Sequence, residues 1–409
     1  MGVATEFVIP RQRNRRPSGG RRKHHPTHPP FERAILVGVD YRHAGHWDID
    51  SSLEELAQLA FTAGAMPLAR AKQRLRHPDP RSYVGKGKLE EIAGLRDELR
   101  ASVAIFDDEL TPAQQRNLEK RLEIKIIDRT ALILDIFSQR AHTREGVVQV
   151  ALAQHEYLLP RLTGQWEHLE RMEGAIGSRG PGETQLETDR RLIRNQIKRL
   201  KKDLERVRTH RQQHRNKRDR AGIPLVALVG YTNAGKSTLM NTLTDAKVRA
   251  RDRLFETLDP TTRRCRLSDE HTVLLSDTVG FIQKLPTQLV AAFRATLEEL
   301  EEADLLLHVV DGTSPDVLEQ VASVERTLRE LGVDQRPTLT VVNKIDTLEE
   351  PLDELLEAIA EEVGSRPIAV SAQEKLNLDE LREAIANVIP SLQGVQIIHR
   401  RPDHAAAAS

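Results

Sequence analysis

Short continuous apolar runs alternate with stretches of helical spacing over most of this chain. Ala34-Ile35-Leu36-Val37-Gly38-Val39, Val103-Ala104-Ile105-Phe106 and Ile124–Ile127 are too short for helices and predict buried strands. Ser51–Thr62 has helical spacing, with Ser51 or Ser52 as N-cap and Glu54 and Glu55 in the first turn. Thr111-Pro112 opens a further helix in the favoured cap-then-proline order. Together these predict an α/β domain over residues 31–143. Within it, Gly85-Lys86-Gly87-Lys88 precedes a helix and reads either as an anion site at a helix N-terminus or as an ordinary glycine-rich turn.

The rhythm changes at residue 144. Ile193, Ile197, Leu200, Leu204 and Val207 recur at spacings of 4, 3, 4 and 3, the seam of a coiled coil. Val147, Val150, Leu158, Leu162 and Leu169 give the preceding stretch an apolar face, with a kink expected at Pro160. Between the two lies Glu173–Gln185, rich in glycine, after which Glu183 or Thr184 begins the next helix. Residues 144–222 are therefore expected to form a long helical hairpin with a non-helical tip. From 223 to 392, the runs Leu225–Val229, Val273–Ser276, Leu305–Val310, Leu339–Val342 and Ile368–Val370 alternate with helical stretches. That order predicts βαβ units around a largely parallel sheet. Residues 1–30 and 393–409 lack periodicity and are expected to be tails, the first disordered and basic.

Composition sharpens this picture. The formal charge is zero, yet residues 1–30 and 160–222 are strongly basic while 223–390 are strongly acidic. Such an asymmetry suggests an anionic partner met by the first two-thirds of the chain; solvated charge is the plainer alternative. Cys265 is the single cysteine, so no intramolecular disulfide forms and a reducing, cytoplasmic setting is expected. No run is long enough to span a membrane, and no secretory leader is read. The arginine-rich start could mimic a transit peptide, but its prolines and lack of amphipathicity argue against that.

The chemistry is carried by Gly230-Tyr231-Thr232-Asn233-Ala234-Gly235-Lys236-Ser237, which follows a predicted strand and opens a predicted helix. This is the pattern G-x-x-x-x-G-K-S/T, whose backbone N–H groups cradle phosphates. Lys236 is placed to reach the β- and γ-phosphates and Ser237 to hold magnesium. Asp277-Thr278-Val279-Gly280 ends the next strand; Asp277 can hold the metal through water, and the Gly280 N–H can sense the γ-phosphate. Asn343-Lys344-Ile345-Asp346 supplies a carboxylate that can pair with both the ring N–H and the amine of guanine. Ser371-Ala372-Gln373 can offer a backbone N–H to the guanine carbonyl. Four motifs in this order predict a magnesium-dependent enzyme hydrolysing GTP to GDP. Phe281 follows Gly280 where a water-orienting glutamine could stand, and a phenyl ring cannot make that hydrogen bond. Slow unassisted hydrolysis is expected.

These motifs, with Phe255-Glu256-Thr257-Leu258-Asp259, SYVGKGKLEEI and SRGPGETQLETDRR, make the chain similar to the HflX family, in the translation-factor-related class of P-loop GTPases. The resemblance runs over roughly residues 31–392. It implies an α/β fold in which a P-loop GTPase domain with a mainly parallel sheet follows a smaller α/β domain and a helical hairpin. It implies Ser237 and Thr257 as magnesium ligands, Phe255–Asp259 as part of the nucleotide site, and Lys236, Thr257 and Gly280 as the catalytic set. It also implies binding to the large ribosomal subunit and its rRNA, with splitting or rescue of stalled ribosomes under stress. Arg179, Arg190, Arg191 and Arg194 are the candidate RNA contacts, through phosphates and with no DNA specificity. A monomer is expected. Two departures stand out: Glu173-Gly174-Ala175 where a glycine run is expected, and a nearly absent C-terminal extension. The competing expectations are a nucleotide-driven RNA remodeller and a GTP-sensing adaptor.

Overall fold

The computed structural model describes residues 31–41, 48–164, 181–221, 223–244, 254–255, 257–268, 271–284, 300–349 and 351–396. Residues 1–30, residues 397–409 of the expected C-terminal tail, residues 173–180 of the expected hairpin tip with Arg179, and Glu256 lie outside them, whereas 393–396, also expected in that tail, continue the last helix.

The first sheet has strands β1 (Glu32–Tyr41), β2 (Ala65–Leu75), β3 (Val103–Phe106) and β4 (Lys125–Asp128), in the order β2-β1-β3-β4 and parallel throughout. The apolar runs at 34–39, 103–106 and 124–127 fall on β1, β3 and β4. No apolar run in the sequence predicts β2. It is an edge strand in which only Ala65 and Ala71 are buried, so no apolar alternation marks it. Its Arg70, Lys72 and Arg74 guard the open edge.

The flanking helices are α1 (Ile49–Thr62), α2 (Lys86–Leu99), α3 (Pro112–Leu122) and α4 (Arg129–Arg140). Helix α3 starts as expected: Thr111 caps it, and Gln114 completes a capping box with proline in the first turn. Helix α1 differs. Its cap is Asp48, which accepts from the Asp50 N–H, because Ser51 and Ser52 lie inside the helix and donate to Asp316 and Asp107 instead. At the start of α2 the Gly85 N–H donates to Gln73 and Lys88 pairs with Glu91, the pattern of an ordinary turn.

Helix α5 (Arg144–Leu158) packs along α6 (Pro181–Ala221). Along α6, Leu204 is buried and Ile193, Ile197, Leu200 and Val207 are half-buried while most of their neighbours are exposed, so the seam lies where the spacing placed it. His155 meets Gln196 at 2.7 Å and Glu156 meets Lys201 at 2.8 Å across the pair. At Pro160 the chain breaks into a turn and a short 3-10 helix at Arg161–Gly164, a stronger interruption than a kink. Helix α6 begins at Pro181, ahead of the expected Glu183 or Thr184: proline suits the first helical turn.

The second sheet comprises β5 (Leu225–Val229), β6 (Thr261–Arg266), β7 (Thr272–Asp277), β8 (Leu305–Asp311), β9 (Thr338–Asn343) and β10 (Ile368–Ala369), in the order β10-β9-β8-β5-β7-β6. All neighbours are parallel except β6 with β7. Strand β6 was not expected; only Cys265 of its six residues is buried, and the edge position leaves its arginines in water. Around the sheet lie α7 (Lys236–Thr244), α8 (Val317–Glu330), α9 (Leu352–Val363) and α10 (Leu378–Gln396).

One apolar core joins these parts. It runs from Leu53, Leu56, Ile133 and Phe137 through Val150 and Tyr157 to Phe255, Leu258, Phe281 and Leu306. Phe137 and Phe255 meet edge to face with centroids 4.7 Å apart. Among the described residues, no helix is long and apolar enough to cross a membrane.

Candidate functional site

The site is built where β5, β7, β8 and β9 end, the edge at which open parallel sheets bind ligands. Strand β5 turns into α7 through Gly230–Gly235. Gly230 and Gly235 have φ of 145° and 91°, and a Cβ on either would collide with the Val309 carbonyl or the Asn343 amide. Only glycine lets the loop close this tightly. Lys236 is buried and donates to the carbonyls of Gly230 (3.0 Å) and Tyr231 (2.7 Å), curling back over the loop. Burial lowers its pKa to about 8, against the pull of Asp277. Beside it, burial and the Lys236 charge lower His308 to about 4, so that imidazole is neutral.

Three oxygens converge at the start of α7. Ser237 Oγ donates to Asp277 Oδ2 at 2.6 Å, Thr257 Oγ1 donates to the same oxygen at 2.9 Å, and the two hydroxyls are 2.9 Å apart. Asp277 Oδ1 is buried without a partner, and burial raises the carboxyl pKa against the Ser237 hydrogen bond and Lys236. A hard divalent cation fits this set: all donors are oxygen, and one buried carboxylate oxygen lacks a counter-group.

The Asp277–Gly280 segment is zipped to the phosphate loop. The Phe281 N–H donates to the Gly230 carbonyl (3.0 Å) and the Thr232 N–H to the Phe281 carbonyl (2.8 Å). A Cβ on Gly280 would lie 2.8 Å from Thr232 Cα and 3.0 Å from Lys236 Nζ, so the backbone here touches the loop directly. The Thr278 hydroxyl donates to the Leu228 carbonyl and Val279 is buried, so both side chains face the protein. Phe281 is 1% exposed and points into the shared core.

Asn343 is a staple: its amide donates to the Ala234 carbonyl (2.9 Å) and its oxygen accepts from the Ala372 N–H (3.0 Å). Three loops distant in sequence are thus fixed together. Lys344, at φ 68°, pairs with Asp311 at 2.6 Å. Asp346 presents an exposed carboxylate on the turn Ile345–Thr347, while Ser371 is buried and Gln373 exposed.

The structure thus brings together Gly230, Thr232, Ala234, Gly235, Lys236, Ser237, Thr257, Asp277, Gly280, Asn343 and Ala372. Other expected site residues turn away. Tyr231 directs its hydroxyl to Glu55 of α1 and accepts from the Gln283 N–H at 2.9 Å. Phe255 and Leu258 are buried in the core. The Asp259 carboxylate engages the N-terminus of α5, accepting from the His142 and Thr143 N–H groups, both at 2.8 Å.

A buried ionic cluster adjoins the site and was not read from the sequence. Arg129, 1% exposed, pairs with Asp107 (2.7 Å) and Glu55 (2.5 Å) and donates to the Gln283 carbonyl (3.3 Å). Lys284, next to Gln283, pairs with Asp107 and Asp108. Burial alone would raise Asp107, but Arg129 and Lys284 hold it well below the usual carboxylate range. For Glu55, burial wins over Arg129 and raises the pKa. A cavity of about 400 Å³, reached by Tyr41, Asp108, Gln283 and Lys284, opens beside this cluster. Asp107-Asp108 after a strand end was the sole local hint.

The chain is similar to known proteins over most of its length. Residues 50–138, 140–218 and 225–344 match families described as the N-terminal part of GTP-binding GTPases, their middle region, and 50S ribosome-binding GTPase. The GTPase HflX of Caldanaerobacter subterraneus subsp. tengcongensis is 49% identical over 354 residues, covering 87% of this chain and 80% of that protein. The GTPase HflX of Escherichia coli is 50% identical over 319 residues, covering 78% and 74%. The solved structure of SsGBP with GDP has a TM-score of 0.50 and 27% identity, covering 88% of this chain and 99% of that one. The chain belongs to the HflX family, and it is a GTPase.

Proposed function

We propose that this GTPase docks on the large ribosomal subunit through its helical pair and couples GTP binding and hydrolysis to splitting or rescue of stalled ribosomes under stress, in the cytoplasm. Its parts are an N-terminal α/β domain (31–143), a helical hairpin (144–222) and a GTP-binding domain (223–392). The observation that carries the reading is the outer face of α6. Behind the apolar seam, Arg191, Arg194, Lys198, Arg199 and Lys202 are all exposed, with Arg190 half-buried beside them. Such a face suits the phosphates of structured RNA. The match to a family described by ribosome binding supports it.

At the nucleotide, the loop N–H groups and Lys236 would hold the phosphates, Asp346 the guanine edge, and the Ala372 N–H its carbonyl. Ser237 and Thr257, with Asp277 behind them, would hold magnesium, which neutralises charge on the phosphates. The Gly280 N–H would report the third phosphate. Phe281 is locked in the core with no group to orient water, so that group has to come from outside this loop, and stimulation by the docked partner would supply or place it. Cosedimentation with isolated large subunits tests this: retention with a non-hydrolysable GTP analogue, and loss with GDP or raised salt, is expected. Equal retention with both nucleotides would refute the coupling and favour a nucleotide-sensing adaptor.

A further inference from the structure

Thr257, a corner of the oxygen cluster, is two residues from Asp259, and the intervening Leu258 is 2% exposed. Asp259 Oδ2 accepts from the His142 and Thr143 N–H groups, and Oδ1 accepts from the Thr143 hydroxyl. Thr143 is itself the N-cap of α5, its Oγ1 accepting from the Gly146 N–H at 3.0 Å. One hydroxyl therefore passes the cap on to the carboxylate, and the negative charge sits where the helix dipole favours it.

Gly146 provides a separate observation. It lies in the first turn of α5, where glycine is a poor helix former. A Cβ there would enter the Asp259 carboxylate, nearer than real Cβ contacts come. Gly146 has no positive φ to explain it, so its role is to leave room for Asp259.

We infer that Asp259 is a positioning residue: its seat on the N-terminus of α5 holds Thr257 in the metal and phosphate site, coupling the helical pair to the third phosphate. This deepens the proposed function and rests on Thr257 being a metal ligand there. Coupling is reciprocal: a partner that shifts α5 changes the hold on GTP, and loss of the third phosphate loosens the start of α5.

Gly146→Ala is the sharpest test, since it lies outside the nucleotide site and favours helix. The measurement is the affinity of a GTP analogue relative to GDP with magnesium present, beside Thr257→Ala, Asp259→Ala and Asp259→Asn. Gly146→Ala and Asp259→Ala should each lower the ratio by about tenfold or more, with GDP affinity kept in Gly146→Ala. Asp259→Asn, whose amide oxygen still accepts from both N–H groups, should retain most of the ratio. Hydrogen exchange at Thr143 and Gly146 should slow with the GTP analogue but not with GDP. If Thr257→Ala lowers the ratio while Gly146→Ala and Asp259→Ala do not, the anchor is overturned and the metal-ligand reading survives. A ratio unmoved by Thr257→Ala removes both, and equal loss of GDP and GTP affinity in Gly146→Ala would mark a merely structural contact.

Discussion

Tyr231, inside the phosphate loop, shares its hydroxyl with Glu55, a helix residue of the other sheet 176 positions earlier in the chain. The same oxygen accepts from the Gln283 N–H, so three segments meet at one atom. Tyr231→Phe would leave the Gln283 N–H and a Glu55 oxygen buried without this partner. A loss of about 1–3 kcal/mol is expected, read by urea unfolding, with altered basal hydrolysis because Gln283 follows the Gly280 segment. Unchanged stability and turnover would show the bridge to be incidental.

Arg129 is more deeply committed than Lys284, though both meet Asp107. Arg129→Leu removes the cation on Glu55 and one of the two cations on Asp107, leaving Lys284 as the other, and should destabilise the fold by about 3–5 kcal/mol. Lys284 is partly exposed, with about a third of its side chain in water, and Lys284→Ala should have the smaller effect. Thermal unfolding of the two variants side by side checks the order; a larger loss for Lys284→Ala would contradict it.

Lys236 gives nucleotide binding a pH dependence of definite sign. Its pKa in the free protein is about 8, and a triphosphate requires the ammonium form. Below that pH the site is already protonated and affinity should be flat. Above it, binding has to take up a proton, so affinity should fall by up to about tenfold per pH unit until the raised pKa of the complex is reached. Calorimetry of GTP-analogue binding in buffers of different ionisation enthalpy would show the proton uptake. Affinity that rises above pH 8 would refute it.

Asp346 stands exposed on its turn, as base recognition requires. Asp346→Asn should weaken GTP by at least about 2 kcal/mol and favour xanthosine triphosphate, whose carbonyl suits an amide donor. Competition binding among GTP, ATP and XTP measures this. Unchanged GTP affinity would refute the assignment.

The nucleotide motifs were legible because each is a short local pattern: glycines at Gly230 and Gly235, a strand-end carboxylate at Asp277, the run Asn343–Asp346. The stapling by Asn343 was not, because its partners Ala234 and Ala372 are distant in sequence. The seam from Ile193 to Val207 was legible for the same reason, since periodicity is local. Strands β2 and β6 were not, because these two edge strands are rich in charged residues held in water and show no apolar run or alternation, unlike the edge strands β4 and β10. The Arg129 cluster was invisible because its members come from distant segments: Arg129 and Gln283 are 154 positions apart, and Lys284 and Asp107 are 177 apart. Each is an unremarkable surface-type residue until folding buries it. Asp259 was read as part of a nucleotide motif, and only its partner, the start of α5, reveals its other task.

The core that runs from Leu53 and Phe137 to Phe255 and Phe281 has a consequence for heat and proteolysis. Two sheets that share an interior cannot melt separately without exposing it, so calorimetry should record one endotherm. Any nucleotide bound at the second sheet then protects the first, which it does not touch: ligand at a thousand times its dissociation constant adds about 4 kcal/mol to the whole unit. Removing guanine nucleotide should therefore shorten the lifetime of the N-terminal sheet against proteases.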